Sequence, residues 1–288
     1  MKRGREEADE ELKRFEQFCR QFAYSPEKSV KVKNPPPVEE EKTQSELEDA
    51  PFVAPYPNRY REKYSSPCPN CFKNSLVCPH NQEKRLRLLI IGHNPSEHAW
   101  KNGNMYSNPT NRMWKILTGT FCEGSEYKGV IDPSMTIDDQ NQLPSRYGIG
   151  FTDLGTVPGN QSDKFTKQEL AQWKIDLYDR LTRHLGRVCK QEHNDPKCSL
   201  LCHSPRIVLF SGKKQFVDLF AKPPKVAMGF QQVLPDDWPL SPQIKVYVCP
   251  SSSGRVVMKK EDIMKYYCEV FEAYNSLFFV CYNELNYK

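Results

Sequence analysis

The amino-acid sequence predicts an α/β fold, a three-layer αβα sandwich around a mainly parallel central sheet. Four short apolar segments alternate with helix-like stretches after residue 85, which is typical of parallel sheets with helices on both faces. Each apolar segment stops abruptly at polar residues, as strands do at the ligand-binding edge of such a sheet. The chain has 288 residues, of which 38% are hydrophobic, so it is long enough to bury this core.

The predicted strands are runs rich in Leu, Ile, Val and Phe: Leu88–Gly92, Gly148–Leu154, Arg206–Gly212 and Ile244–Pro250. Helical spacing of apolar residues predicts helices at Asn111–Thr120, Thr166–Leu185, Lys213–Ala221 and Lys260–Phe278. The polar residues that follow the strands should therefore meet at one edge of the sheet: Asn94, Asp153, Ser211 and Ser251. The alternative is ordinary turn chemistry, in which these residue types are common.

Composition and charge limit the classes of partner. No segment approaches the roughly 18 consecutive apolar residues of a membrane span, so a soluble protein without a membrane partner is expected. The first 60 residues hold 11 Lys/Arg and 13 Asp/Glu, whereas the remaining 228 hold 30 and 23. This basic excess in the body suits a phosphate-bearing partner, although many proteins of similar charge bind no nucleic acid.

Residues 1–55 are predicted to be a disordered head with a short helix at about residues 8–22, and no partner is assigned to this head. Six acidic residues among the first sixteen argue against a transit peptide, and no apolar segment suggests a secretory signal. A reducing compartment is therefore expected, and the eleven cysteines are interpreted as thiols or metal ligands rather than disulfides.

Residues 56–84 form a Cys/His-rich extension in which Cys68, Cys71, Cys78 and His80 have zinc-ligand spacing. A structural zinc ion is predicted there, with unliganded surface thiols as the alternative. Residues 85–288 form the predicted catalytic domain, with a Cys/His-containing insertion at about residues 186–204. Its irregularly spaced ligands make a second zinc site a weaker candidate: Cys189, His193, Cys198, Cys202 and His203.

Five ordered motifs between about Arg87 and Tyr274 resemble the mismatch-specific uracil/thymine-DNA glycosylases of the uracil-DNA glycosylase superfamily. They are Gly92–Pro95, Tyr106 with Asn111–Trp114, Tyr147–Thr152, Pro205–Lys213 and Cys249–Arg255. The resemblance implies a monofunctional, nuclear base-excision-repair enzyme that needs no catalytic cofactor. It would flip uracil mispaired with guanine out of double-stranded DNA, with thymine or modified cytosine as further candidate substrates.

The resemblance also implies roles for particular residues. Asn94 matches the family's water-positioning residue, with a turn-stabilising Asn as the alternative. Asp153 is the second candidate catalytic residue, and the expected base pocket comprises His93, Pro95, Ala99, Met105, Tyr106 and Val157. Tyr106 is interpreted as a stacking platform in an exposed loop rather than a core aromatic.

The expected DNA-binding residues are Ser211, Lys213, Ser251, Ser252, Ser253, Gly254 and Arg255. Arg255 would enter the space left by the flipped base, and Lys213 would meet a phosphate at a helix start. The alternatives are a surface Arg and a solvated Lys.

Three residues depart from the family pattern. Asp153 stands where an amide reads the base, Val157 where a threonine holds the water, and Met105 where some relatives have histidine. A mismatch-binding module without turnover is therefore the alternative function. An unrelated α/β hydrolase or nucleotide-binding protein lacks support, because neither a Gly-x-Ser-x-Gly elbow nor a phosphate-binding Gly-x-x-x-x-Gly-Lys-Ser/Thr loop occurs.

Overall fold

The computed structural model describes residues 85–122, 124, 127–193 and 205–285, except the side chains of 187, 189–193 and 278–285. The central sheet has five strands, β1 (Leu88–Gly92), β2 (Ile149–Asp153), β3 (Ile207–Phe210), β4 (Gly229–Phe230) and β5 (Lys245–Val248). Their order across the sheet is β2-β1-β3-β5-β4. All neighbouring strands are parallel except β4, which pairs antiparallel with β5 at one edge.

Six α-helices connect and cover these strands in the described residues. They are α1 (Glu97–Asn102), α2 (Met113–Thr118), α3 (Leu143–Tyr147), α4 (Lys167–His193), α5 (Lys213–Val217) and α6 (Lys260–Leu285). A 3-10 helix at Ile137–Gln142 precedes α3.

The core lies in two layers, one on each face of the sheet, because side chains alternate along a strand. Leu88 and Ile90 of β1 point to the face that α2, α3 and α6 cover, whereas Leu89 and Ile91 point to the face that α4 and α5 cover. All five residues of β1 are buried, as expected for a central parallel strand. This arrangement confirms the predicted three-layer αβα sandwich.

Differences from the predicted elements have local causes. The β1 bounds agree, and the other strands are shorter than expected. Helix α1 was not predicted, because its six residues are too few for a periodic apolar pattern. Strand β4 has only two residues and carries no pattern of its own. Helix α6 continues past Phe278 to Leu285.

No helix in the described parts of the chain is both long and apolar enough to span a bilayer. The predicted head (1–55) and the whole Cys/His-rich extension (56–84) lie outside the described residues. So do residues 194–204 of the predicted insertion.

Candidate active site

A cavity of about 470 Å³ opens at the carboxyl edge of the sheet. Its walls come from the loops that follow β1, β2, β3 and β5, and they include Asn94, Asp153, Ser211 and Ser251. The four residues predicted to meet at this edge therefore share one cavity, as parallel strand direction requires.

The turn after β1 is held by the start of α1. Ser96 caps this helix, since its Oγ accepts a hydrogen bond from Ala99 N at 3.1 Å. Gly103 ends the helix in a left-handed conformation with φ 76°. Pro95 and Ala99 are buried beside the cavity. The segment that carries Asn94 is thus fixed at both ends.

The Asn94 side chain is oriented by backbone carbonyls. Its Nδ2 donates towards the oxygens of Val157 at 3.0 Å, Gly159 at 3.1 Å and Pro95 at 3.2 Å. Because three acceptors surround one end of the amide, the NH₂ group must occupy that end. Asn94 Oδ1 therefore serves as the acceptor.

His93 contacts that acceptor. His93 Nδ1 lies 2.8 Å from Asn94 Oδ1, and His93 Nε2 lies 3.7 Å from Asp218 Oδ2. Burial alone would raise the pKa of the Asp218 carboxyl, but interactions with His93 and Lys214 outweigh it and hold the pKa below its ordinary value. Lys214 Nζ is 2.7 Å from the same carboxylate oxygen.

Asp153 enters the cavity because Gly92 has no side chain. The two residues pair across β1 and β2, and a Cβ on Gly92 would overlap Asp153 Oδ1 and lie 3.0 Å from the Tyr106 hydroxyl. Asp153 is only 7% exposed. Gly92 thus allows a carboxylate and a phenol to share the same narrow space.

Tyr106 is part of the cavity wall rather than an exposed loop residue, which corrects that part of the sequence prediction. Its hydroxyl is 2.9 Å from Ser211 Oγ, and its ring packs edge-on against Phe151. Burial, and then the negative charge of Asp153, raise the pKa of the phenol far above its ordinary value, so the hydroxyl stays protonated. Tyr106 also has a φ of +58°, an uncommon conformation for a large residue.

Gln140 holds the residue before Tyr106. Its fully buried side-chain amide accepts from Met105 N at 3.0 Å and donates to Met105 O at 2.5 Å. This reciprocal pair fixes the backbone where it enters the left-handed turn at Tyr106. Met105 itself is buried beside the cavity.

Arg112 anchors the serine-rich loop, residues 251–255. Its backbone N donates to Ser252 O at 2.8 Å, and its guanidinium donates to the oxygens of Val256 at 3.2 Å and Gly254 at 3.4 Å. A Cβ on Gly254 would lie 2.6 Å from Thr110 O. The serine-rich loop therefore packs directly on the segment that precedes α2.

The hydroxyls of the serine-rich loop keep hydrogens to donate. Ser251 Oγ accepts from Ser253 N, and Ser253 Oγ accepts from Arg255 N, both at 3.3 Å. Each hydroxyl can still donate its own hydrogen. Ser252 is 2% exposed and holds the loop through its backbone oxygen. Lys213 is exposed at the first position of α5 and lines the cavity.

All but one of the predicted pocket and DNA-binding residues line the cavity. The exception is Val157, whose half-exposed side chain is absent from the wall and which contributes its carbonyl oxygen to Asn94. The predicted zinc ligands Cys68, Cys71, Cys78 and His80 lie outside the described residues. The same holds for the side chains of the second candidate set. Among the described residues, no group of three or more potential ligands could hold a metal.

Sequence reasoning missed three residues that support the site: Asp218, Gln140 and Asn160. Gln140 lies in the short 3-10 helix, and Asn160, whose Oδ1 accepts from Glu97 N at 3.3 Å, lies in the loop after β2. The positions of both depend on tertiary packing, and no spacing pattern marks them. Asp218 follows Lys214 by four residues, which signals an intrahelical ion pair but not a contact with His93.

Comparison with known proteins identifies the family of this chain. A family model for the uracil DNA glycosylase superfamily matches residues 79–276, most of the chain. The chain belongs to the uracil DNA glycosylase superfamily. A relative from Schizosaccharomyces pombe, described as a G/U mismatch-specific uracil DNA glycosylase, is 27% identical over 101 residues. That alignment covers 35% of this chain and 29% of the relative, so the chain spans under a third of that relative's length.

Membership of the uracil DNA glycosylase superfamily confirms the resemblance found in the sequence motifs. The matched region contains every described strand and the whole cavity wall.

Proposed function

We propose that this chain is a monofunctional DNA glycosylase that hydrolyses the N-glycosidic bond of uracil mispaired with guanine. The observation that carries the proposal is the Asn94 amide, which carbonyl contacts orient on the wall of a cavity at the carboxyl edge of the sheet. Family membership supports the reaction class. The guanine-mismatch preference rests on the partial relative alone.

Asn94 suits the role of positioning the attacking water. Breaking the bond develops positive charge on the sugar while the base leaves as an anion, so a correctly placed water is needed. Asn94 Oδ1 can accept a hydrogen from that water. A neutral amide takes up a proton poorly, so turnover should be slow compared with an enzyme that uses a carboxylate base.

The flipped base would occupy the cavity. A volume of about 470 Å³ falls within the usual range for small-molecule pockets and exceeds what one pyrimidine needs. Flipping costs a few kcal/mol, least for a mismatched pair, which favours mispaired uracil. The Tyr106 ring is the proposed stacking platform, and the buried Asp153 carboxylate is the proposed reader of the base edge.

The DNA backbone would lie over the serine-rich loop. The hydroxyls of Ser251 and Ser253 can donate to phosphate oxygens, and Lys213 and Arg255 supply positive charge. Ser211, held to Tyr106, would support the pocket rather than the backbone. Thymine and modified cytosine remain proposed further substrates, with base excision repair in the nucleus as the proposed setting.

The structural zinc at Cys68, Cys71, Cys78 and His80 also remains a proposal from ligand spacing. Metal analysis of purified protein tests it, with Cys68→Ser as the comparison. Zinc that is absent from the wild type, or fully retained by the variant, would contradict it.

A mismatch-binding module without turnover is the second candidate. The specific observation in its favour is Asp153, because an ionised carboxylate near a departing anion opposes cleavage. The two candidates differ in whether product forms after the DNA binds.

Single-turnover assays on duplexes that contain G:U, A:U or G:T test the proposed function, with alkali to reveal abasic sites. We expect cleavage of the G:U strand, and slower cleavage of A:U because a paired base is harder to flip. Specific binding of G:U DNA without any abasic product would favour the binding module.

A further inference from the structure

Asp218, His93 and Asn94 form a chain of polar side chains that ends at the cavity. Asp218 lies at the end of α5, and its Oδ2 is 3.7 Å from His93 Nε2. His93 Nδ1 in turn is 2.8 Å from Asn94 Oδ1. The side chains of His93 and Asp218 are only 12% and 18% exposed, so this chain is shielded from water.

The geometry fixes the direction of the hydrogen bond from His93. Because carbonyl oxygens surround Asn94 Nδ2, Oδ1 must face His93, and His93 Nδ1 must carry the hydrogen. His93 Nε2 is buried and faces a carboxylate. The 3.7 Å separation from Asp218 Oδ2 is too long for a hydrogen bond, so the carboxylate acts on the ring as a neighbouring charge.

Neighbouring rings keep His93 in this position. Phe165 and Trp173 lie with ring centroids 6.1 Å and 5.9 Å from the imidazole. Lys214 Nζ lies 2.7 Å from the same carboxylate oxygen, Asp218 Oδ2, that faces His93. The charged groups near His93 Nε2 are therefore Asp218 and Lys214, whose opposite charges pair with each other.

We propose that His93 and Asp218 are positioning residues, which hold the Asn94 amide so that one lone pair of Oδ1 remains directed to the attacking water. This inference rests on the proposed function. His93 occupies one of the two lone pairs of Oδ1, and the carbonyl contacts prevent the amide from turning over. The remaining lone pair is the acceptor available to the nucleophile.

The positioning role of His93 and Asp218 differs from that of a base-pocket residue, which would contact the substrate directly. A positioning residue acts only through Asn94, so its loss should lower the rate of bond cleavage while DNA affinity changes little. Its effect should also vanish when Asn94 is already absent.

The test compares His93→Gln with His93→Asn in single-turnover cleavage of G:U DNA. An Asn side chain retains a donor near the Nδ1 position, whereas Gln reaches towards Asp218 without that donor. We expect His93→Gln to lower the rate by roughly tenfold to a hundredfold. His93→Asn should lose at least threefold less activity, and the Kd for G:U DNA should stay within about twofold for both variants.

A second pair of variants separates positioning from folding. Asp218→Asn removes the charge next to His93 and should lower the cleavage rate by about threefold or more with Kd preserved. Asp218→Asn also tests the positioning role if thermal unfolding shows that His93→Gln does not fold. In the Asn94→Ala background, neither substitution should lower the residual rate further.

Three results would overturn the inference while the proposed function stands. The first is a wild-type cleavage rate for both His93→Gln and Asp218→Asn, and the second is an equal loss of rate in His93→Gln and His93→Asn. The third is that these substitutions lower the rate in the Asn94→Ala background as much as they do in the wild type. A wild-type protein that binds G:U DNA but releases no uracil would instead overturn the proposed function, and the positioning role with it.

Discussion

Arg255 Nη1 donates a hydrogen bond to the backbone oxygen of Asn160 at 2.8 Å, which joins the loop after β5 to the loop after β2 across the cavity mouth. Asn160 Oδ1 in turn accepts from Glu97 N at 3.3 Å. The side chain proposed to enter DNA is therefore held by a backbone oxygen of the protein in this structure. It must release Asn160 O before it can reach a base step or a phosphate.

Removal of the Arg255 charge should weaken DNA binding in a salt-dependent way. Arg255→Ala is expected to reduce the slope of log Kd against log salt by about 1, because one phosphate contact is lost. Arg255→Lys should keep the slope but bind more weakly, since it lacks the planar fork. Fluorescence anisotropy at several salt concentrations measures both quantities. The matched control is Arg183→Ala, at an exposed position of α4. An unchanged slope for Arg255→Ala would contradict a phosphate contact by Arg255.

Gly254→Ala should displace the serine-rich loop. The new Cβ would lie 2.6 Å from Thr110 O and 2.8 Å from Thr110 Cβ, closer than carbon atoms are found, so the loop must shift. We expect G:U DNA to bind about tenfold more weakly, which corresponds to ~1.4 kcal/mol. Gly186→Ala, where a Cβ meets nothing within 4 Å, is the control and should bind DNA normally. Equal affinities for the two variants would show that loop placement does not matter.

Asp153→Asn should widen the range of bases accepted. A carboxylate can only accept from the N3–H of uracil, whereas an amide can also donate to the N3 of cytosine. The ratio of cleavage rates on modified cytosine and on uracil should therefore rise by about tenfold, or ~1.4 kcal/mol of barrier. Single-turnover assays on matched duplexes measure this ratio, with Asp179→Asn, at an exposed position of α4, as the control. Unchanged rates on every substrate would remove Asp153 from base recognition.

Asp218 should make stability depend on pH. Its pKa in the folded protein lies below the ordinary value of ~3.9, because interactions with His93 and Lys214 outweigh its burial. The stabilisation is therefore complete above the ordinary pKa and is lost as pH falls through the lower, folded-state pKa. The difference in Tm between wild type and Asp218→Asn should be constant near neutral pH and shrink in acid. A Tm difference that does not change with pH would contradict an ionised Asp218 carboxylate paired with Lys214.

Much of the fold could be predicted from the sequence, because it depends on local patterns. Strand β1 stops at Gly92, where an apolar run gives way to His93 and Asn94, and its bounds were predicted correctly. Parallel strand direction was then enough to bring Asn94, Asp153, Ser211 and Ser251 to one cavity. These inferences needed only strand periodicity and topology.

The support of the site could not be predicted, because it depends on contacts between distant segments. Gln140 reaches Met105 from a short 3-10 helix, and Asp218 reaches His93 from the end of a five-residue helix. The burial of Tyr106 follows from its φ of +58° and its bond to Ser211, neither of which a loop-like composition indicates. Side-chain partners of this kind appear only once the strands are packed.

The rates of uracil release by wild type and Asn94→Ala decide whether Asn94 positions the attacking water. Both proteins should be measured side by side in single turnover on G:U DNA, with DNA binding recorded separately. Asn102→Ala, at an exposed position of α1, is the matched control. We expect cleavage by wild type and by the control, and a loss of about a hundredfold or more in Asn94→Ala, roughly 2.7 kcal/mol of barrier. Equal cleavage by wild type and Asn94→Ala would contradict the central role of Asn94.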